Sequence, residues 1–422
     1  MSGGAEQGTQ ARSFSVVTGA LIIASVFGYG LMILAGRVLG PADNAIFLSF
    51  WGIFFGLGSA MSPVEQEVSR LSAEAEVAGR RTGPDALRVV AIALGVALPV
   101  GLLQFVPWVN DRLFHGHSWL AVVTLVGGLG YAVLYGVRGL LVGHRRINPY
   151  AGLTIAEPTT RIVVAAVLVI AGLGQILPIA VAVAVGTFVW IAFLVHAGKL
   201  VDRSGPGAGW GASARTILQL MAGAACTAAV VTGFPALVTL LAPGGDKAVV
   251  GAFLTALTLA RFPLVALLPV QALAVPAVVR MTSTEDGRRK LHGWLVKGAL
   301  GALVVGVVGS VLGALLGPWI VRLIYGDDFV VAGWAVAGLV FSSTLLAALQ
   351  LLASVLIARA RHGVVLRAWA ATALVSAAAL VWWPADTVTR AVVGLVAGPV
   401  VGAIVALVAV WGQAPEQSIT ER

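Results

Sequence analysis

Apolar residues in this chain come in blocks of about twenty, divided by short segments that hold nearly all of the charge. Blocks of that length cross a bilayer as α-helices. They predict twelve spanning helices, at 15–36, 45–63, 89–106, 119–137, 151–173, 178–198, 216–242, 248–275, 294–317, 331–357, 365–383 and 391–411. The alternating pattern of a membrane barrel is missing, and backbone groups in hydrocarbon must pair within the chain, which leaves a helical bundle. The first block, from about Ser15 to Gly36, exceeds the core of a signal peptide and reads as an uncleaved first helix. The fifth block is the most informative. Only a short apolar stretch separates Arg161 from the turn Gly172-Leu173-Gly174-Gln175. A span here must therefore begin near Tyr150, which draws Glu157 and Arg161 into the bilayer.

Basic residues alternate by loop. Twenty fall on one face: Arg12, Arg70, Arg80, Arg81, Arg88, Arg138, Arg145, Arg146, Lys199, Arg203, Arg215, Arg280, Arg288, Arg289, Lys290, Lys297, Arg359, Arg361, Arg367 and Arg422. Five fall on the other: Arg37, Arg112, Lys247, Arg322 and Arg390. The remaining two of the 27, Arg161 and Arg261, lie inside predicted helices. Cytoplasmic loops collect Lys and Arg, so both termini are expected in the cytoplasm of a bacterial inner-membrane protein. The halves also repeat. Pro107-Trp108-Val109-Asn110-Asp111-Arg112-Leu113-Phe114 matches Pro318-Trp319-Ile320-Val321-Arg322-Leu323-Ile324-Tyr325 with one residue of slip. Leu39-Gly40-Pro41-Ala42-Asp43 matches Leu241-Ala242-Pro243-Gly244-Gly245-Asp246, and Leu140-Leu141-Val142-Gly143-His144-Arg145 matches Val355-Leu356-Ile357-Ala358-Arg359. Each pair sits at the equivalent loop of a six-plus-six arrangement. The expected fold is all-α and integral to the membrane, with twelve transmembrane helices in two six-helix lobes related as a parallel repeat. The lobes are residues 14–200 and 216–411, joined by a cytoplasmic linker at 201–215 and flanked by cytoplasmic tails at 1–13 and 412–422.

Composition agrees and narrows the classes. Hydrophobic residues are 59% of the chain and charged residues 11%, with a mean hydropathy of +0.97, against about 25% charge in a soluble domain. The net charge of +9 follows from the loop arginines and does not indicate a nucleic-acid partner. A lone cysteine, Cys226, in an apolar run excludes a disulfide framework or Cys-based metal site. No Gly-x-x-x-x-Gly-Lys-Ser/Thr loop is present, which argues against ATP hydrolysis. No cofactor is implied. The Gly-x-x-x-Asp-Arg-x-Gly-Arg-Arg pattern of major-facilitator carriers is also missing between helices 2 and 3.

The first outer loop reads Ala35-Gly36-Arg37-Val38-Leu39-Gly40-Pro41-Ala42-Asp43-Asn44-Ala45-Ile46-Phe47. It resembles the junction of helices 1 and 2 in Wzx-type polysaccharide exporters (O-antigen flippases) of the multidrug/oligosaccharidyl-lipid/polysaccharide (MOP) superfamily. Gly139-Leu140-Leu141-Val142-Gly143-His144-Arg145-Arg146 and Leu259-Ala260-Arg261-Phe262-Pro263-Leu264 fit the same family. The resemblance implies a flippase that moves a polyprenyl-diphosphate-linked oligosaccharide to the outer leaflet by alternating access, for cell-envelope polysaccharide synthesis. It also implies the bilayer and polysaccharide-assembly glycosyltransferases or a polymerase as partners. The alternatives are a cation-coupled multidrug exporter of the same superfamily, a membrane glycosyltransferase or polymerase using Asp327 or Asp328, and a scaffold without transport.

Arg161 and Arg261 are the candidate anion-binding residues. Each lies roughly 16–20 Å along its helix from one end, near mid-depth, where an arginine costs about 2.5–3.5 kcal/mol and normally faces a partner or a cavity. Their guanidinium forks suit the oxygens of a diphosphate. Glu157 precedes Arg161 by four residues, so an internal ion pair on one helix face is an equal reading, and Glu157 as a protonation switch is a third. Gln271 and Gln350 are candidates for contacts to sugar hydroxyls or for interhelical bonds. Arg37 and Asp43 read as an interfacial arginine and a turn cap, and Glu65 and Glu67 as water-facing. His115-Gly116-His117 reads as a solvated outer loop rather than a metal site. Pro263, Pro269 and Pro276 predict kinks in the eighth helix.

Overall fold

A computed structural model of the chain describes residues 2–204, 209–242, 244–265, 285–359 and 361–411. Among them every regular element is a helix, and one isolated bridge joins Thr82 and Val201. The helices are α1 (Ser2–Met61), α2 (Pro63–Val77), α3 (Asp85–Leu102), α4 (Pro107–Phe114), α5 (Trp119–Gly143), α6 (Ile147–Ile170) and α7 (Ile176–Val185). They continue with α8 (Leu194–Gly198), α9 (Trp210–Val231), α10 (Phe234–Leu241), α11 (Lys247–Ala260) and α12 (Phe262–Val265). The last four are α13 (Glu285–Tyr325), α14 (Gly333–Ala358), α15 (His362–Trp382) and α16 (Thr387–Trp411).

At 1.5 Å per residue α1 alone would extend roughly 90 Å, about three hydrocarbon thicknesses. It is in fact two spans. Gly40 leaves helical geometry at φ 70°, ψ 172°, a conformation reached without strain only by glycine, and Pro41 then restarts the helix. Ten segments among the described residues are long and apolar enough to cross a membrane, the first being the 62-residue stretch Val16–Val77 that contains this break. The shorter apolar helix α11 occupies the first part of the predicted eighth span. The fold class is therefore the expected one, an all-α integral membrane bundle.

Boundaries differ from the predicted ones in three informative places. Helix α5 continues to Gly143 instead of ending at 137, which places Arg138 inside the helix. Beyond Met61 the chain resumes as α2, so Glu65 and Glu67 occupy the first two turns of an amphipathic helix. The predicted eighth helix breaks at Arg261, one residue before the Phe262-Pro263 pair that opens α12; Pro269, Pro276 and Gln271 lie outside the described residues.

The chain forms two compact units, Met1–Thr255 with Arg322–Phe329, and Ala256–Val321 with Val330–Arg422. In the first, α1 packs on α5, α6 and α9, and α2 packs on α5. Phe47, Phe50 and Phe54, spaced to share one helix face, are fully buried there. Polar bonds suited to a low-dielectric bundle tie the second span to its neighbours: Asn44 Nδ2 donates to Thr255 Oγ1 at 2.8 Å, and the Ser49 and Thr239 hydroxyls lie 2.5 Å apart. At one end of the unit, Arg37 donates to the carbonyl oxygens of Ile324 (2.5 Å) and Leu323 (3.0 Å). It therefore caps the C-terminal carbonyls of a helix rather than merely reaching the interface. Asp43 is exposed.

In the second unit α15 and α16 cross at a seam of small residues. Gly394, Gly398 and Gly402, four apart, face Ser376, Thr372 and Ala368, and Ser376 Oγ donates to the Gly394 carbonyl at 2.8 Å. Removing side chains lets the two backbones approach, the main source of helix association in lipid. A Cβ on Gly398 would stand 2.7 Å from the Thr372 carbonyl oxygen. Gly398→Leu is accordingly expected to cost roughly 1–3 kcal/mol or more through overpacking, read as a lowered melting temperature in detergent, whereas Val408→Leu on the exposed face should leave it unchanged.

Candidate functional site

A buried polar cluster of the first unit is built from α1, α2, α5, α6 and α7. Because α6 starts at Ile147, its third and fourth turns carry Glu157 and Arg161 well inside the span, as the sequence predicts, and both are buried, at 8% and 5% exposure. Spaced four apart on one helix face, they form an ion pair, Arg161 Nη2 to Glu157 Oε1 at 2.6 Å. Arg161 also donates from Nε to the Val183 carbonyl (2.9 Å) and from Nη2 to the Tyr131 hydroxyl (2.8 Å). Three rings close round the guanidinium, with centroids at 4.9 Å (Phe55), 5.6 Å (Tyr131) and 5.8 Å (Phe54). Such faces stabilise a desolvated cation. In this arrangement Arg161 serves the internal pair, with its Nε and both Nη2 donors engaged by the protein.

A second arginine that sequence reasoning placed in a loop extends the cluster. Arg138 Nε lies 3.1 Å from Glu65 Oε2, and Nη1 lies 4.0 Å from Glu157 Oε2. Tyr150 joins them, donating its hydroxyl to Glu65 Oε1 at 2.9 Å and accepting from Arg138 Nη2 at 3.2 Å. The result is a line of alternating charge, Glu65–Arg138–Glu157–Arg161, with two carboxylates and two guanidinium groups. Its formal charge is zero when all are ionised. Tyr135, stacked on Tyr131 at 5.6 Å, covers Arg138 with its ring at 5.8 Å. Glu65 is thus not water-facing. Glu67 is not either: 7% exposed, it accepts from Arg70 at 2.6 Å.

The sequence carried signals for both omissions. The apolar run Leu140-Leu141-Val142-Gly143 continues α5 past Arg138, and Val64, Val68 and Ala75 mark a buried face of α2 beyond Met61. What no spacing revealed is the meeting of Glu65 with Arg138, 73 positions later in the chain.

The other candidates belong to other elements. Arg261 belongs to the second unit and stands, half-buried, at the turn between α11 and α12, where its N–H donates to Thr258 O at 3.3 Å and its carbonyl accepts from Leu264 N at 2.9 Å. Gln350, half-buried in mid-α14, accepts a bond from Ser354 Oγ at its main-chain carbonyl (3.0 Å). His115 and His117 are exposed, and no group of three or more potential metal ligands occurs among the described residues. Asp327 and Asp328 are exposed.

The helical bundle that holds this charge-balanced cluster has a fold shared with proteins of known structure. The chain superposes on the inward-facing conformation of a multidrug resistance MATE family transporter of the MOP superfamily with a TM-score of 0.66, at 14% identity over 94% of this chain and 95% of that one. A MOP superfamily transporter from Pyrococcus furiosus gives 0.55 at 15% identity over 94% and 95%, and the eukaryotic MATE transporter AtDTX14 gives 0.57 at 17% over 95% of each. The fold is that of the MOP-superfamily transporters, with their two lobes. No family model matches the chain. By sequence the chain belongs to the family of the uncharacterized proteins Rv3630 and Rv1510 of Mycobacterium tuberculosis. It is 30% identical to the first over 97% of this chain and 94% of that protein, and 31% identical to the second over 91% and 87%.

Removing one member of a buried ion pair strands the other and costs about 3–5 kcal/mol. Arg161→Ala is expected to lower the melting temperature more than Glu157→Gln/Arg161→Ala does. A double-mutant cycle in detergent measures the coupling, and independent, additive losses would refute the pairing.

Proposed function

We propose that this chain is an exporter of the bacterial cytoplasmic membrane, with both termini cytoplasmic, that moves a polyprenyl-diphosphate-linked oligosaccharide outward for cell-envelope polysaccharide synthesis. The observation that carries the reading is the composition of the second half's apolar spans, which hold arginine but no carboxylate. Glu65 and Glu157 are each held by an arginine. From Lys247 to Trp411, no candidate span contains an Asp or Glu, while Arg261 stands at a helix break. A path for cationic drugs calls for an accessible carboxylate or open aromatic cage, and here the cage of Phe54, Phe55 and Tyr131 is filled by the protein's own Arg161. For the Pyrococcus furiosus transporter, reverse polarity of the binding pocket suggests a different function, and polarity likewise separates an anionic from a cationic cargo for this chain.

In this reading Arg261 binds the diphosphate, Gln271 and Gln350 serve the sugar, and the lobes are residues 14–200 and 216–411. Glu157 couples transport to a proton or cation gradient. Its carboxylate is shared by Arg138 on α5 and Arg161 on α6, so a change in its charge loosens both helices together. Envelope-assembly glycosyltransferases or a polymerase would supply and consume the cargo.

In liposomes containing a fluorescent polyprenyl-diphosphate oligosaccharide, wild type is expected to move the probe between leaflets. Arg261→Ala should slow it about tenfold or more, the equivalent of one charged hydrogen bond of roughly 1.5 kcal/mol. Undiminished movement in the variant would remove Arg261 from the site. Export of cationic dyes with no movement of the lipid would transfer the case to the multidrug reading.

A further inference from the structure

A cavity of about 540 Å³ opens between the α5–α6 turn and the end of α8. Arg145, Arg146, Asn148, His196, Lys199 and Leu200 are among its lining residues, and no carboxylate lines it. The cations arrive from two separate elements, each fixed by bonds of its own. The α8 side is anchored by the Thr82–Val201 bridge, with Thr82 N donating to Leu200 O at 2.8 Å and Asp202 N to Thr82 O at 2.8 Å. Thr82 Oγ1 also lies 2.8 Å from His144 Nε2, at the end of α5. Burial holds that imidazole below its ordinary pKa, with Glu76 opposing the shift.

The turn itself is unusual. Arg146 N donates to Leu141 O (2.8 Å) and Arg145 N to Val142 O (3.0 Å), the two bonds of a Schellman helix end. The left-handed residue of that motif is usually glycine, yet here it is Arg145, at φ 54°. An L-residue with a long side chain is strained in that conformation, and such strain persists where a side chain is needed. Arg145 keeps only a loose ion pair with Glu76, at 3.6 Å, and remains 81% exposed. Helix α6 then starts with Arg146 as its N-cap, with no side-chain cap, so its first amides also point their positive end towards this region.

We propose that this cavity binds a phosphate group, and specifically the headgroup phosphate of an anionic lipid in the leaflet that the basic asymmetry assigns to the cytoplasm. Arg145 and Arg146 supply forked donors, Lys199 adds a third charge, and the N–H groups of Ile147 and Asn148 at the start of α6 add to them. The inference is independent of the cargo proposed above.

The test uses the full chain purified in detergent and incubated with phosphatidylglycerol or phosphatidylcholine, with retained lipid counted by native mass spectrometry. Wild type should retain phosphatidylglycerol in preference. Arg146→Gln/Lys199→Gln should lower that retention by about fivefold for each charge removed. Arg145→Gly separates binding from folding, because it relieves the left-handed strain: it should melt at the same or a higher temperature while retaining less phosphatidylglycerol. Displacement of the lipid by millimolar inorganic phosphate would assign the cavity to soluble phosphate, and resistance to displacement assigns it to the headgroup. Equal retention of both lipids by wild type, or unchanged phosphatidylglycerol retention in the variants, would overturn the proposal.

Discussion

Charge in hydrocarbon must be compensated where it stands, and the first compact unit is organised around that requirement. Two arginines lie within its spans, and neither can be left alone at a cost of several kcal/mol each. The chain meets this with two carboxylates and three tyrosines in one contiguous line, Glu65–Arg138–Glu157–Arg161 with Tyr150, Tyr135 and Tyr131 alongside. The line fixes α2, α5 and α6 against one another, because each ion pair other than Glu157–Arg161 crosses between helices. The Phe54 and Phe55 rings of α1 lie against the guanidinium of Arg161. The same constraint explains why the cluster is a poor receptor for a further cation: its negative groups and its aromatic faces are already engaged.

Much of this was legible in the sequence. Length and apolarity alone located the spans, since hydrocarbon leaves no other way to satisfy twenty unpaired peptide groups. Glu157 and Arg161, four apart, announced their pair. Long-range meetings were not legible. From the sequence Arg138 reads as a loop residue, because an unpaired charge ends a span, whereas a charged group with a buried partner continues it, and that partner, Glu65, lies on another helix. Glu65 and Glu67 read as water-facing for the same reason. Arg37 has no sequence neighbour that suggests a capping role, as its acceptors, Leu323 and Ile324, are nearly three hundred residues away.

Helix breaks show a similar division. Gly40-Pro41 is a break that both residue types foretell. The break at Arg261 has its proline two residues later, and local chemistry placed a kink there without showing that the arginine would occupy the turn. The basic cavity beside α6 was equally hidden. Arg145, Arg146 and Lys199 counted as topology signals, and only the fold reveals that they line one concave surface around a strained left-handed residue.

The central claim is that the charge presented within the membrane selects an anionic cargo. Equilibrium binding of a short-chain polyprenyl diphosphate and of tetraphenylphosphonium to the purified protein, across a range of salt concentrations, tests it most directly. The account predicts saturable binding of the diphosphate, weakened by salt, and no competition from the cation. Saturable binding of tetraphenylphosphonium that the diphosphate fails to displace would contradict it.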